Sequence, residues 1–215
     1  MLVKVCGVRT QSEQAIVSRH ADATGIVVES ASHRSVALLR ARTLLTSAEI
    51  PTFLVSTCAS AEGWDMLIEQ TGATLIQIHT DEIDPSEMDR IRSRHGVSIM
   101  KAFSVPSRSN DPRIEAARIS REIGRFDADM VLLDTGRGTG RTHDLRVSRL
   151  VARDHDIVLA GGLGPDTVAE AIAFVDPYGV DASSGTENNG SKEERLVARF
   201  TANARGVTTI KEESR

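Results

Sequence analysis

Residues 157–185 read IVLAGGLGPDTVAEAIAFVDPYGVDASSG. A short apolar run, 157–160, ends in Gly161 and Gly162. Pro165 then opens a helical pattern with Val168, Ala171, Ile172 and Val175 on one face. A second run, 178–181, ends in Ser183, Ser184 and Gly185. Two strand-like runs joined by one helix make a βαβ unit. Both runs end in small residues that leave backbone N–H groups open, and glycine lets a backbone approach an anion closely. Loops of this kind hold a phosphate after strands seven and eight of a (β/α)8 barrel. Gly-Gly and Ser-Ser-Gly also serve as ordinary turns, so the stretch alone leaves both readings open.

The chain before this unit repeats the same alternation. Strand-like runs fall at 2–6, 23–28, 52–56, 73–79, 97–102 and 128–134, each followed by a stretch of helical composition. A final helix is expected over 192–203. Strict strand–helix alternation implies a parallel sheet with helices outside it. Eight such units close a (β/α)8 TIM barrel, and an open doubly wound sheet, which needs fewer strands, is the alternative. No linker or composition shift divides the chain. The expected organisation is one barrel domain over 1–205 and a polar tail, without periodicity, over 206–215.

Composition suits this fold. Hydrophobic residues make up 40% of the 215, but aromatics only 3%, so the core must be Val, Ile, Leu and Ala. Branched side chains of this kind fill barrel interiors. A net charge of −4 provides no basic surface for nucleic acid, and two cysteines are too few for a disulfide framework. No apolar run reaches membrane-spanning length, and the residues after Met1 lack a signal-type apolar segment. A soluble, cytoplasmic protein is expected.

Functional groups of such barrels sit at the C-terminal ends of the strands. Those positions hold Cys6, Arg34, His79, Lys101, Asp134, Gly162, Asp181 and Ser183. Strand parity puts Lys4 with Cys6, Gln77 with His79, and Leu132 with Asp134. A cysteine and an aspartate at one mouth make a base and an acid. Little of a free thiol is thiolate at neutral pH, so a neighbouring cation has to raise that fraction, and Lys4 and Arg9 are candidates. Each site has a plainer reading. Cys6 can be a small buried hydrophobe, Asp134 a helix cap, Arg34 a solvated turn residue, and His79 a core hydrogen-bonding group. For Lys101 and Cys58 the structural reading is the better one.

Six motifs then carry a resemblance. VKVCGVRT (3–10), GIVVESASHRSV (25–36), LIQIHT (75–80), LLDTGRGTG (132–140), LAGGLGPDTV (159–168) and GVDASSGTE (179–187) lie in order from first strand to last. With them the chain resembles the phosphoribosylanthranilate isomerase family. The resemblance implies a (β/α)8 isomerase of tryptophan biosynthesis that performs an Amadori rearrangement of a phosphorylated small molecule. It implies Asp134 as general acid and Cys6 as general base. Arg34 would bind the anthranilate carboxylate and Asp181 would contact the amino group or the sugar; His79, read from its strand-end position, orients substrate or makes a core hydrogen bond. Gly161, Gly162, Ser183, Ser184 and Gly185 would hold the phosphate. No metal or organic cofactor is implied, and the expected state is a monomer or a homodimer.

The chain departs from the family pattern at Thr80, at His33 and over 141–144. His143, with Arg137 and Arg141, reads either as a mobile solvated loop or as a lid near the anionic substrate. Two competing functions stay open: another phosphosugar isomerase or epimerase of the barrel group, and a barrel that binds phosphosugar without turning it over.

Overall fold

The computed structural model describes residues 1–135 and 142–206. Eight strands form the centre: β1 (Leu2–Cys6), β2 (Ala23–Val27), β3 (Thr52–Ser56), β4 (Leu75–Ile78), β5 (Ser98–Ser104), β6 (Met130–Asp134), β7 (Ile157–Leu159) and β8 (Gly179–Ala182). They pair in chain order, all parallel, and β8 closes on β1 through Leu2↔Gly179 and Lys4↔Asp181. This is the expected (β/α)8 barrel. Helices alternate with the strands: α1 (Gln11–Ser18), α2 (Leu38–Thr46), α3 (Ala61–Thr71), α4 (Pro85–His95), α5 (Pro112–Ile123), α6 (Leu145–Val151), α7 (Val168–Val175) and α8 (Glu194–Arg205).

Local sequence explains where these elements begin and end. Thr10, Ser60, Asp111 and Asp144 cap α1, α3, α5 and α6 by accepting backbone N–H groups that have no partner inside the helix. Gly72 and Gly96 end α3 and α4 in the left-handed conformation. Strands buried on both faces read as nearly continuous apolar runs, as in β3, where all five residues are buried.

Strand parity sorts the apolar side chains into two cores. One lies between strands and helices and includes Val3, Val5, Ile26, Leu54, Leu133 and Phe200. The other fills the barrel with Phe53, Val55, Met100, Leu132 and Val158, and Cys6 belongs to it. Inward-facing residues at the upper end of this second core form the floor of the mouth.

The last strand-helix connection differs from the sequence reading. Instead of a helix from residue 192, a 3-10 turn (Ser184–Thr186) leads into a hairpin, β9 (Glu187–Asn188) with β10 (Ser191–Lys192), before α8. Asn189 and Gly190 turn it with φ of 48° and 74°, the backbone of a tight two-residue hairpin loop. The tail from 207 onward lies outside the described residues.

Candidate active site

The C-terminal ends of the strands surround one cavity of about 1240 Å³. Cys6, His79, Asp134, Gly161, Gly162, Asp181, Ser183 and Ser184 all line it. Two expected site residues, Arg34 and Gly185, are not among its lining residues.

Cys6 sits at the end of β1, where Gly25 on β2 leaves room for its sulfur. A Cβ on Gly25 would lie 2.6 Å from Sγ and 3.4 Å from Lys4 Nζ. Lys4, fully buried, donates to Asp181 Oδ2 at 2.9 Å inside the barrel. Burial would lower the Lys4 ammonium, but Asp181 and Cys6 outweigh it and hold it above the ordinary lysine value. Burial also pushes the Cys6 thiol up, and the opposing pull of Lys4 and Lys192 does not cancel it. The expected neighbouring cation is therefore Lys4, yet the resting thiol keeps its proton. Arg9 takes no part: it donates to Glu13 Oε1 at 3.2 Å and to the Gly190 carbonyl. Asp181 has its other oxygen, Oδ1, buried without a hydrogen-bond partner among the described residues.

Asp134 ends β6, three strands from β1 around the barrel. Its Oδ2 lies 3.1 Å from His79 Nε2, and His79 Nδ1 lies 3.1 Å from Gln77 Nε2. An amide nitrogen can only donate, so Nδ1 accepts, and Nε2 carries the hydrogen that points at Asp134. Burial works to raise the Asp134 carboxyl. The His79 hydrogen bond and the Thr135 backbone N–H outweigh that and hold it below the usual carboxylate range. Asp134 is thus an anion in the free site, whereas the acid role assigned from sequence needs a proton on it. His79 is a partner of Asp134 at the cavity wall, not an isolated core group.

The two closing loops touch one another at the cavity. Gly161 has φ of 85°, and a Cβ there would lie 2.8 Å from Asp134 Oδ1. Gly185 serves a different end. A Cβ on it would lie 2.1 Å from the Leu163 carbonyl, so its bare backbone lets the β7 and β8 loops touch. Ser183 Oγ donates to the Cys6 carbonyl at 3.0 Å, tying the β8 loop to the cysteine.

Arg34 is spoken for within the protein. Its Nε and Nη2 donate to Glu187 Oε1 and Oε2 at 2.6 and 2.8 Å. Lys192 Nζ donates to the same Oε1 at 3.0 Å. Sequence reasoning gave Glu187 no role and set Lys192 at a helix start. The signal it passed over was Asn189-Gly190, a strong hairpin marker that brings the two side chains opposite one another.

Lys101 faces outward from β5, donating to the Thr80 carbonyl at 2.7 Å with the Phe103 ring centroid 4.7 Å away. Burial lowers its ammonium to about 8. His143 is buried, with Nε2 2.6 Å from Ser148 Oγ, and burial lowers it to about 4. Neither a lid nor a solvated loop describes it. Arg137 and Arg141 lie outside the described residues.

The mouth of this (β/α)8 barrel gathers a thiol, a carboxylate–imidazole pair and two touching glycine- and serine-rich loops around one cavity, the build of a small-molecule barrel enzyme. The family model described as N-(5'phosphoribosyl)anthranilate (PRA) isomerase matches residues 3–203. The chain belongs to this family, and it is an isomerase of tryptophan biosynthesis.

Among its relatives, the N-(5'-phosphoribosyl)anthranilate isomerase of Pyrococcus abyssi is 49% identical over 207 residues, covering 96% of this chain and 99% of the other. The solved structure of the Pyrococcus furiosus enzyme superposes with a TM-score of 0.90 at 47% identity, covering 95% and 98%. A phosphoribosyl anthranilate isomerase solved with reduced 1-(o-carboxyphenylamino)-1-deoxyribulose 5-phosphate superposes at 0.79 with 27% identity, covering 96% and 100%.

Proposed function

We propose that Cys6 and Asp134 perform the proton transfers that convert N-(5-phosphoribosyl)anthranilate to 1-(2-carboxyphenylamino)-1-deoxyribulose 5-phosphate. The observation that carries the proposal is that both line the one cavity that also receives the Gly161-Gly162 and Ser183-Ser184 loops. Substrate brings a carboxylate and a phosphate and displaces water. Both changes raise the Asp134 carboxyl, so on binding it takes up a proton while the Cys6 thiol gives one up, leaving an acid, a thiolate and an unchanged proton count. Asp134 then protonates the ribose ring oxygen, the C1–O bond breaks, and the nitrogen lone pair forms a C1=N bond. Cys6 removes the C2 proton, and the C2–H electrons move into a C1=C2 bond as C1=N returns its pair to nitrogen. Proton loss from the C2 hydroxyl and gain at C1 complete the ketone.

The remaining groups hold the substrate. Lys4 steadies the thiolate that forms beside it, and Asp181 Oδ1 accepts from the amine or a sugar hydroxyl. Gly161, Gly162, Ser183 and Ser184 hold the phosphate through N–H groups and hydroxyls. Gly185 contributes by letting the loops touch. Arg34 grips the anthranilate carboxylate, where a planar guanidinium offers two parallel hydrogen bonds. His79 carries Asp134.

Loss of anthranilate-type fluorescence on incubation with the substrate tests the reading. Cys6→Ser and Asp134→Asn should each lower kcat by about 10²–10⁴-fold while a product analogue still binds. Near-full activity in Cys6→Ser would place the base elsewhere.

A further inference from the structure

Glu187 has no part in the reaction outlined above, yet its carboxylate joins two regions of the site. One side is Arg34, held through Nε and Nη2. The other is Lys192, whose Nζ also donates to the Ser183 carbonyl at 2.9 Å. Ser183 Oγ in turn reaches the Cys6 carbonyl at 3.0 Å. The three side chains are 11%, 7% and 0% exposed, in the order Arg34, Glu187, Lys192, so water competes little for these bonds.

The arrangement is built from several directions. Hairpin register sets Lys192 opposite Glu187. Glu13 on α1 accepts the Lys192 backbone N–H at 3.2 Å, and Arg9 holds the turn at Gly190. On the far side the Arg34 stem packs over Gly7, where a Cβ would lie 2.5 Å from Cδ. A guanidinium carries five N–H donors along more than one edge. Glu187 takes the Nε–Nη2 edge and leaves the Nη1–Nη2 edge for another carboxylate.

We propose that Glu187 is a positioning residue that sets the Arg34 guanidinium and the 183–185 loop as one unit, fixing the separation at which substrate carboxylate and phosphate are gripped. The inference rests on the reading of Arg34 and that loop as the two anion grips. Charge alone argues for the opposite effect. An anion beside two cations weakens their pull on an anionic ligand, so removing it would tighten binding. Without its carboxylate, however, two buried cations repel, the Arg34 chain is released, and Lys192 loses the bond that orients it. Positioning therefore predicts weaker binding, and the sign decides between the two.

The test is E187Q, which keeps the size and removes the charge. kcat and KM for phosphoribosylanthranilate are measured with dissociation constants for inorganic phosphate and for anthranilate. KM should rise about tenfold or more, the scale of charge-assisted hydrogen bonds, with kcat changing far less. Both probes should bind more weakly. Unchanged or tighter phosphate binding overturns the proposal, as does weakening of one probe alone, since the two grips would then be independent. Should E187Q fail to fold, E187D keeps the charge but is one methylene short of holding both partners. Wild-type KM and phosphate affinity in E187D overturn the proposal equally. Failure of the catalytic reading appears separately, as no turnover by the unmodified protein, and the phosphate titration still decides the part played by Glu187.

Discussion

At Cys6 burial outweighs the pull of Lys4, and at Asp134 the His79 N–H outweighs burial. The resting site therefore has its proton on sulfur and its charge on the carboxylate, the reverse of what the proposed proton transfers use. The working form has the same proton count and is its minor partner. kcat/KM should then fall on the acid side as Asp134 titrates, below the usual carboxylate range. On the alkaline side it should fall as Cys6 titrates, above the ordinary thiol range, with a plateau through neutral pH. A limb between pH 5 and 8 in the measured profile would contradict this assignment. Iodoacetamide inactivation, which reads the thiolate, should likewise accelerate only above the ordinary thiol pKa. Strand parity and motif order made both residues legible in the sequence. Their protonation was not, because it depends on an Asp181–Lys4 pair separated by 177 residues and a His79–Asp134 contact separated by 55.

Strands and helices were legible because their apolar periodicities are long enough to read. The hairpin over 187–192 was marked only by its Asn189-Gly190 turn, since each of its strands has two residues, all polar, and no alternation can develop. The sequence showed the small residues of the closing loops but not that Gly185 is a point of contact. Gly185→Ala should force the Leu163 carbonyl and the β8 loop apart, because the added carbon would sit 2.1 Å from that oxygen. A stability loss of about 1–3 kcal/mol is expected, the scale of overpacking, with weaker inorganic phosphate binding. Gly164→Ala is the control, since its Cβ meets nothing closer than 3.5 Å. Equal effects in the two variants, read by thermal melting and phosphate titration, would remove the special role of Gly185.

Across the whole molecule, acid acts in two windows. His143 is buried neutral and lowered from 6.5 to about 4, so the unfolded chain binds more protons in that interval and stability falls as pH drops through it. Glu187 is lowered from 4.5 to about 2, since Arg34 and Lys192 outweigh its burial, so its contribution is present above pH 4.5 and is lost on further acidification. Melting temperature against pH should slope in both intervals. His143→Phe should flatten the first and leave the second. A first slope that survives the substitution would assign it to another group. Barrel closure through β1 and β8 also has a consequence in time. Lys4 leaves the ribosome 177 residues before Asp181, which at about 5–20 residues per second is about 10–35 s. For that interval Lys4 has no Asp181 to pair with, and Cys6 sits in a barrel not yet closed. A nascent chain halted just before β8 has seven of its eight barrel strands but neither Asp181 nor closure onto β1, so the Lys4–Asp181 pair arrives only with the last strand.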